Sequence, residues 1–410
     1  MIRSFFRWIK HLAYAVVMLA ILACLTEIGL RVYDSATAQV TRRDLYDRGL
    51  VCKNWFYHHS LKPSRVFSVK NLDSGERVRV AINSFGVRGP EPEIPKPRDV
   101  FRIICLGDES TFAPAVEESD TFCGQMQQML AEKLGRPVEV INAGIPDFCP
   151  LLSYLQFRHS LLALEPDLVV VNFDPTDVAD DYQIRRYAVL DRDGDPLSCA
   201  HPSLEMPRRG KSSRESVVLF PQFARQKINQ LLAEQTLSEK SRSIESQKCR
   251  YLWLEDSPPD WSSYIDQSFS PIRQLDDLAR SRGIKLVVAM CPAPWQISAQ
   301  ASNGEGVREQ AGVNADACFQ SRRPFELLSQ FCQSSQISFC DVSQAFLNDR
   351  QPDRFFQSHV AAFSVDGHGL YAQELARFVL EHEFGARDRQ DRDGYPRPIP
   401  QAGLSSQRTK

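Results

Sequence analysis

Four short blocks of this 410-residue chain carry residue types able to move protons or attack a carbonyl. They are Gly107-Asp108-Glu109-Ser110-Thr111, Asn142-Ala143-Gly144, Asp174-Pro175-Thr176-Asp177 and Asp366-Gly367-His368. The first three follow apolar runs that read as strands, and the fourth stands before a segment with helical periodicity. A carboxyl at Glu109, hydroxyls at Ser110 and Thr176, and an imidazole with a nearby carboxylate belong to general acid–base and nucleophilic chemistry. Read structurally, Ser110 caps its loop or the helix after it.

Other polar groups have plainer readings. Asp191-x-Asp193-x-Asp195 starts like a calcium loop but lacks the closing glutamate, so it reads as a hairpin turned at Asp193-Gly194. His58-His59 reads as surface polarity, and Asp180-Asp181 as a solvated or capping pair. Trp253, Trp261 and Trp295 suit either a carbohydrate-binding cleft or simple packing. The eleven cysteines include no C-x-x-C pair and no zinc-finger spacing, so neither a metal nor another cofactor is implied. Cys105 and Cys291 lie in apolar runs and read as small buried hydrophobes. Cys318, Cys332 and Cys340 are disulfide candidates with the pairing open.

The elements that must hold these blocks begin at Phe101. Short apolar runs at 101–106, 138–141, 168–171, 285–289 and 337–340 alternate with helical segments at 120–134, 151–164, 324–332 and about 370–383. This alternation predicts a flavodoxin-like three-layer α/β/α sandwich with a parallel sheet, its site at the carboxyl ends of the strands. Residues 182–270 interrupt the pattern with the hairpin and a polar, helix-prone stretch at 223–248. They read as an insertion over the sheet's edge or site. Residues 34–98 read as a membrane-proximal region with a strand at Val78–Ile82, ending in a proline-rich linker from Pro90 to Pro97. The charged tail at 385–410 is expected to be disordered.

Residues 1–33 differ in kind. Arg3, Arg7 and Lys10 precede an uncharged run from Leu12 to Leu25, the pattern of a signal anchor with the bulk of the chain extracytoplasmic. Ile21-Leu22-Ala23-Cys24 also resembles a lipoprotein cleavage box, so lipidation at Cys24 is the alternative tether. A formal net charge of −2 and scattered basic residues argue against nucleic acid as a partner.

In their order along residues 99–384, the four blocks resemble the SGNH (GDSL-type) hydrolases. That family runs its first strand into G-D-S-x-T, places a glycine after the second and G-x-N-D after the third, and ends with D-x-x-H or D-x-H. Asn83 to Glu91 also looks like the segment preceding the first block in membrane-tethered bacterial members. The resemblance implies His368 as general base, Asp366 as its orienter and Gly144 as an oxyanion glycine. Glu109 stands at the serine position and Thr176 at the asparagine position, while Ala113 replaces a common glycine. A carboxylate at 109 would pair with His368 and raise its proton affinity. Ser110 is then the candidate nucleophile of a loop shifted by one residue.

Two functions follow. One is an extracytoplasmic esterase, acyl hydrolase or transferase acting on O-acyl groups of envelope polysaccharide or lipid. The other is a catalytically silent relative that keeps the cleft to bind a ligand; a purely structural role would need neither Asp366 nor His368. Which group faces His368, Ser110 Oγ or Glu109, separates them.

Overall fold

The computed structural model describes residues 50–204 and 250–384 continuously, with scattered helical residues between Arg7 and Gly29. The continuous chain opens with two antiparallel hairpins. β1 (Val51–Lys53) pairs with β2 (His59–Leu61), and β3 (Arg65–Lys70) with β4 (Arg77–Ile82). Along β4, Val78, Val80 and Ile82 are buried while Arg77 and Arg79 face water, the alternation of a strand with one face on a core.

Five parallel strands follow, built from runs so apolar that both of their faces must be covered. They are β5 (Phe101–Leu106), β6 (Val138–Asn142), β7 (Leu168–Phe173), β10 (Lys285–Met290) and β11 (Ser338–Cys340). Between β7 and β10 lies the expected hairpin, β8 (Ala188–Leu190) with β9 (Pro196–Cys199). Its turn is held by Asp191 Oδ1, which accepts the N–H groups of Asp193 and Asp195 at 2.9 Å each. The sheet order β11-β10-β7-β5-β6 is the 2-1-3-4-5 order of a flavodoxin-like doubly wound fold, with its switch point between β5 and β7.

Seven helices matter to the argument: α1 (Glu109–Phe112), α2 (Phe122–Leu134), α3 (Pro150–His159), α4 (Asp177–Arg185), α5 (Ser262–Ser281), α6 (Arg323–Ser334) and α7 (Val365–Val379). On one face Ile103, Cys105 and Val170 meet Met126 and Leu130 of α2 and Tyr371 and Leu375 of α7. On the other, Ile104, Leu106 and Val169 meet Leu155 of α3, Phe269 of α5 and Leu328 of α6. Each such side chain contributes about 1.5–3 kcal/mol by leaving water.

Several sequence expectations change. The interruption ends at Ser262, where α5 begins; Pro271 inside that helix conceals its start, since an interior proline normally signals a break. Residues 90–97 are not a free linker. Arg102 Nη2 donates to the Glu93 carbonyl at 2.9 Å, and Lys96 pairs with Asp167 at 2.6 Å. Because the buried face of β4 shares a hydrophobic cluster with Ile104 and Leu106, residues 50–98 belong to the main core. The thiols of Cys318, Cys332 and Cys340 are free. Trp253, Trp261 and Trp295 are buried, which favours packing over a carbohydrate cleft. His59 is buried as well, its Nε2–H donating to the Pro146 carbonyl at 2.8 Å.

Among the described residues no helix is long and apolar enough to cross a membrane. The uncharged run at 12–25, described only in part, the helix-prone stretch 223–248 and the tail 385–410 lie outside the continuously described residues.

Candidate functional site

β5 and β7 end side by side at the switch point, so the loops after them form one wall. Asp108 leaves β5 and caps α1, its Oδ1 accepting the Ser110 N–H at 2.9 Å. The capping role suggested for Ser110 thus belongs to Asp108. Ser110 Oγ is turned instead toward the β7 loop, where it donates to Asp174 Oδ2 at 3.0 Å. Asp174 Oδ1 accepts both the N–H and the hydroxyl of Thr176, each at 2.9 Å. Both oxygens of Asp174 are therefore engaged, and Thr176 Oγ1 is committed to it.

Gly144 lies behind this wall rather than in it. A Cβ there would collide with the Phe112 backbone nitrogen, so only glycine lets the β6 loop pass so close to α1. Its N–H donates to Asn142 Oδ1 at 3.1 Å, while Asn142 Nδ2 donates to the Thr111 carbonyl at 2.7 Å. In this geometry Gly144 locks two loops together and offers no free N–H to a substrate.

The Asp366–His368 pair does not form. α7 begins at Val365, one turn earlier than its apolar pattern suggests, because Ser364 Oγ caps it by accepting the Gly367 N–H at 3.2 Å. Residues two apart on a helix point about 200° apart. His368 therefore turns inward, while Asp366 turns outward and accepts from Arg354 at 3.3 Å. The position one turn before His368, which could share its face, holds Val365.

His368 Nδ1 accepts the Phe122 N–H at 3.3 Å, so the proton of the neutral ring sits on Nε2. Burial, and then the Arg88 guanidinium, push its pKa down to about 3. The proton affinity is lowered, not raised by an ion pair with Glu109. Arg88 is itself buried, with Nη1 donating to the Phe112 carbonyl at 2.7 Å and Nη2 to that of Val116 at 2.6 Å.

The titratable groups that gather here are carboxyls. Lost hydration, then Asp147, pushes Glu109 up to about 7 although its side chain reaches solvent. Burial and then Asp174 hold Asp108 well above the carboxylate range, and burial and then Asp108 do the same to Asp177. Asp180 and Asp181 are buried rather than solvated; burial raises each to about 6 against the pull of Arg250 and Arg185.

Four contributors had no sequence signal beyond their type. Asp147 projects from the β6 loop at φ 60°, Arg250 pairs with Asp180, Tyr251 packs edge-on to Trp295 at 4.7 Å, and Gln357 comes from the segment before α7. Trp253 Nε1 donates to the Pro175 carbonyl at 2.7 Å and pins residues 250–254 over the site. These groups enclose a cavity of about 190 Å³ with Glu109, Asp174 and His368. Among the described residues no group of three or more His, Cys, Asp or Glu has the arrangement to hold a metal.

No family model and no curated protein matches this sequence. Among solved structures the chain is similar to a lipase/acylhydrolase from Enterococcus faecalis, at 13% identity and TM-score 0.37 over 68% of this chain and 95% of that one. It is similar also to a catalytic mutant of an acetylxylan esterase from Geobacillus stearothermophilus, at 12% identity and TM-score 0.36 over 68% and 94%. A GDSL-like lipase from Bacteroides thetaiotaomicron matches at 12% identity and TM-score 0.31 over 67% and 85%. The last of these carries in its description the GDSL type that the sequence blocks resemble. With TM-scores below 0.5, the fold assignment rests on the strand order itself.

Proposed function

We propose that this chain is a hydrolase-like, SGNH-type scaffold that binds a polar ligand of the carbohydrate class without serine-based acyl transfer. The observation that carries this reading is the Ser110 hydroxyl, which donates to Asp174 instead of to an imidazole. A nucleophile needs a base; the imidazole in this pocket has its pKa near 3, and with Nδ1 accepting from Phe122 its Nε2 already carries the ring proton. An oxyanion needs free donors; the Gly144 N–H and the Thr176 hydroxyl are both spent within the protein. What the pocket offers is a set of carboxyls, a guanidinium and a phenol, groups that hydrogen-bond the hydroxyls of a sugar. The basic flank and uncharged run in residues 1–33 support a tether that leaves this pocket outside the cytoplasmic membrane, facing envelope polysaccharide.

A second reading has one observation in its favour. The Ser110 hydroxyl donates to Asp174, the contact through which a carboxylate base would take the serine's proton as it attacks an acyl ester.

The test is hydrolysis of a short-chain acyl ester and an acetylated oligosaccharide by the full chain in detergent, beside Ser110→Ala, Glu109→Ala and His368→Ala. The expected result is the buffer rate in all four. Turnover by the wild type that disappears in Ser110→Ala would sink the binding reading in favour of the esterase.

A further inference from the structure

The pocket is lined by more carboxyls than cationic side chains. Asp108, Glu109, Asp147 and Asp174 bring four carboxyls to its lining. Of the cationic side chains among the described lining residues, Arg250 gives Nη2 to Asp180 and keeps Nε without a partner, and His368 is neutral. An acidic cluster alone can be a solvated face, but a second feature here points to an occupant. Gln357 is only 4% exposed and lines the same cavity. Its Nε2 donates to the Phe363 carbonyl at 2.9 Å, whereas its Oε1 has no partner. A buried acceptor left unpaired costs about 1–3 kcal/mol, a cost that an arriving N–H would remove. Asp147 places a solvent-facing carboxyl at the same cavity.

The chemical complement of such a lining is a group with several donors and no acceptor. A primary ammonium has three donors and no acceptor, and its charge answers the carboxyls. A neutral hydroxyl brings one donor and no charge to set against the carboxyls. The cavity, at about 190 Å³, is smaller than the roughly 300–1,000 Å³ of pockets that enclose drug-sized ligands, so it takes one small unit. Resting on the binding function proposed above, we infer that this pocket recognises an amino sugar, with the ammonium set against the carboxylates and Gln357 Oε1. Arg250 and Tyr251 then remain for the sugar hydroxyls. The cation also relieves the repulsion around Glu109, so its carboxyl releases a proton as the ligand enters.

The experiment is calorimetric titration of the full chain in detergent with D-glucosamine, N-acetyl-D-glucosamine and D-glucose, near neutral pH and in two buffers of different ionisation enthalpy. D-Glucosamine is expected to bind at least about tenfold more tightly than the two neutral sugars, with net proton release. Asp147→Asn and Glu109→Gln, both at solvent-reaching positions that leave folding intact, should each cost about tenfold for D-glucosamine and under about twofold for D-glucose. Gln357→Met, which removes the acceptor at similar volume, should cost about threefold or more. Equal affinities for all three sugars, unmoved by the variants, would overturn the ammonium inference while leaving the binding function standing. Absence of binding by the folded wild type to any of the three also overturns it. The binding function itself fails separately, through Ser110-dependent ester turnover.

Discussion

The two ends of the sheet carry cavities of opposite character. At the amino ends of the strands lies a depression of about 550 Å³ lined by Lys96, Arg136, Asp167, Lys285, Glu383 and Phe384. Apart from Glu165 and Arg282, which face solvent, its charges are matched. Lys96 pairs with Asp167, Lys285 pairs with Glu383, and the Arg136 guanidinium lies 5.0 Å from the ring of Phe101 and 5.3 Å from that of Phe384. At the carboxyl ends the cavity is about a third as large, with its carboxyls crowded and an amide oxygen unpartnered. Volume therefore does not mark the site. Uncompensated polarity does, because folding has no reason to leave charges unmatched unless something else completes them.

The contrast can be broken most forcefully at Arg250. Arg250→Ala leaves the buried Asp180 carboxyl without its guanidinium, and denaturant unfolding at neutral pH should show a loss of about 3 kcal/mol. A loss below about 1 kcal/mol would mean that the carboxyl end tolerates unmatched charge without help.

The next effect is in the acid limb of stability. The folded His368 holds its proton more weakly than the unfolded ring, so unfolding takes up a proton and stability falls as pH drops below about 6.5 toward 3. At pH 5, about 1.5 units below the ordinary value, this amounts to roughly 2 kcal/mol. His368→Gln, whose amide oxygen can still accept the Phe122 N–H, should lose about that much less stability between pH 7.5 and pH 5. An unchanged difference between the two pH values would show that the imidazole is already charged.

The smallest effect belongs at the amino end. The Lys285 side chain is 54% exposed, so Glu383→Gln, which leaves only that solvated ammonium unpaired, should change stability by no more than about 1 kcal/mol despite the lost ion pair. A larger loss would make the two ends alike.

Legibility in the sequence followed the same division. The parallel strands were readable because burial on both faces demands continuous apolar runs, and the order of the four blocks placed them at the carboxyl ends. Side-chain direction was not readable. Whether Asp366 meets His368 depends on where α7 starts, and that is decided by the Ser364 cap upstream of a glycine-containing turn. Asp180 and Asp181 looked solvated because Arg250, which pairs with Asp180, lies seventy residues along the chain. Gln357 gave no sign at all, since an unpartnered amide oxygen is a property of the packed molecule.

Arg88 has a consequence in the order of synthesis. It leaves the ribosome ahead of the Phe112 and Val116 carbonyls that its guanidinium will grip, and β4 emerges ahead of the sheet that covers its apolar face. The earlier segment must wait, half-buried in nothing, until the loop bearing Glu109 and Ser110 arrives. A fragment beginning at residue 99 would have the waiting reversed and permanent, with the site loop made and its clamp never supplied. Any piece able to stand alone must therefore include β4 and Arg88, and the hairpins are as much the foundation of the pocket as the strands that point into it.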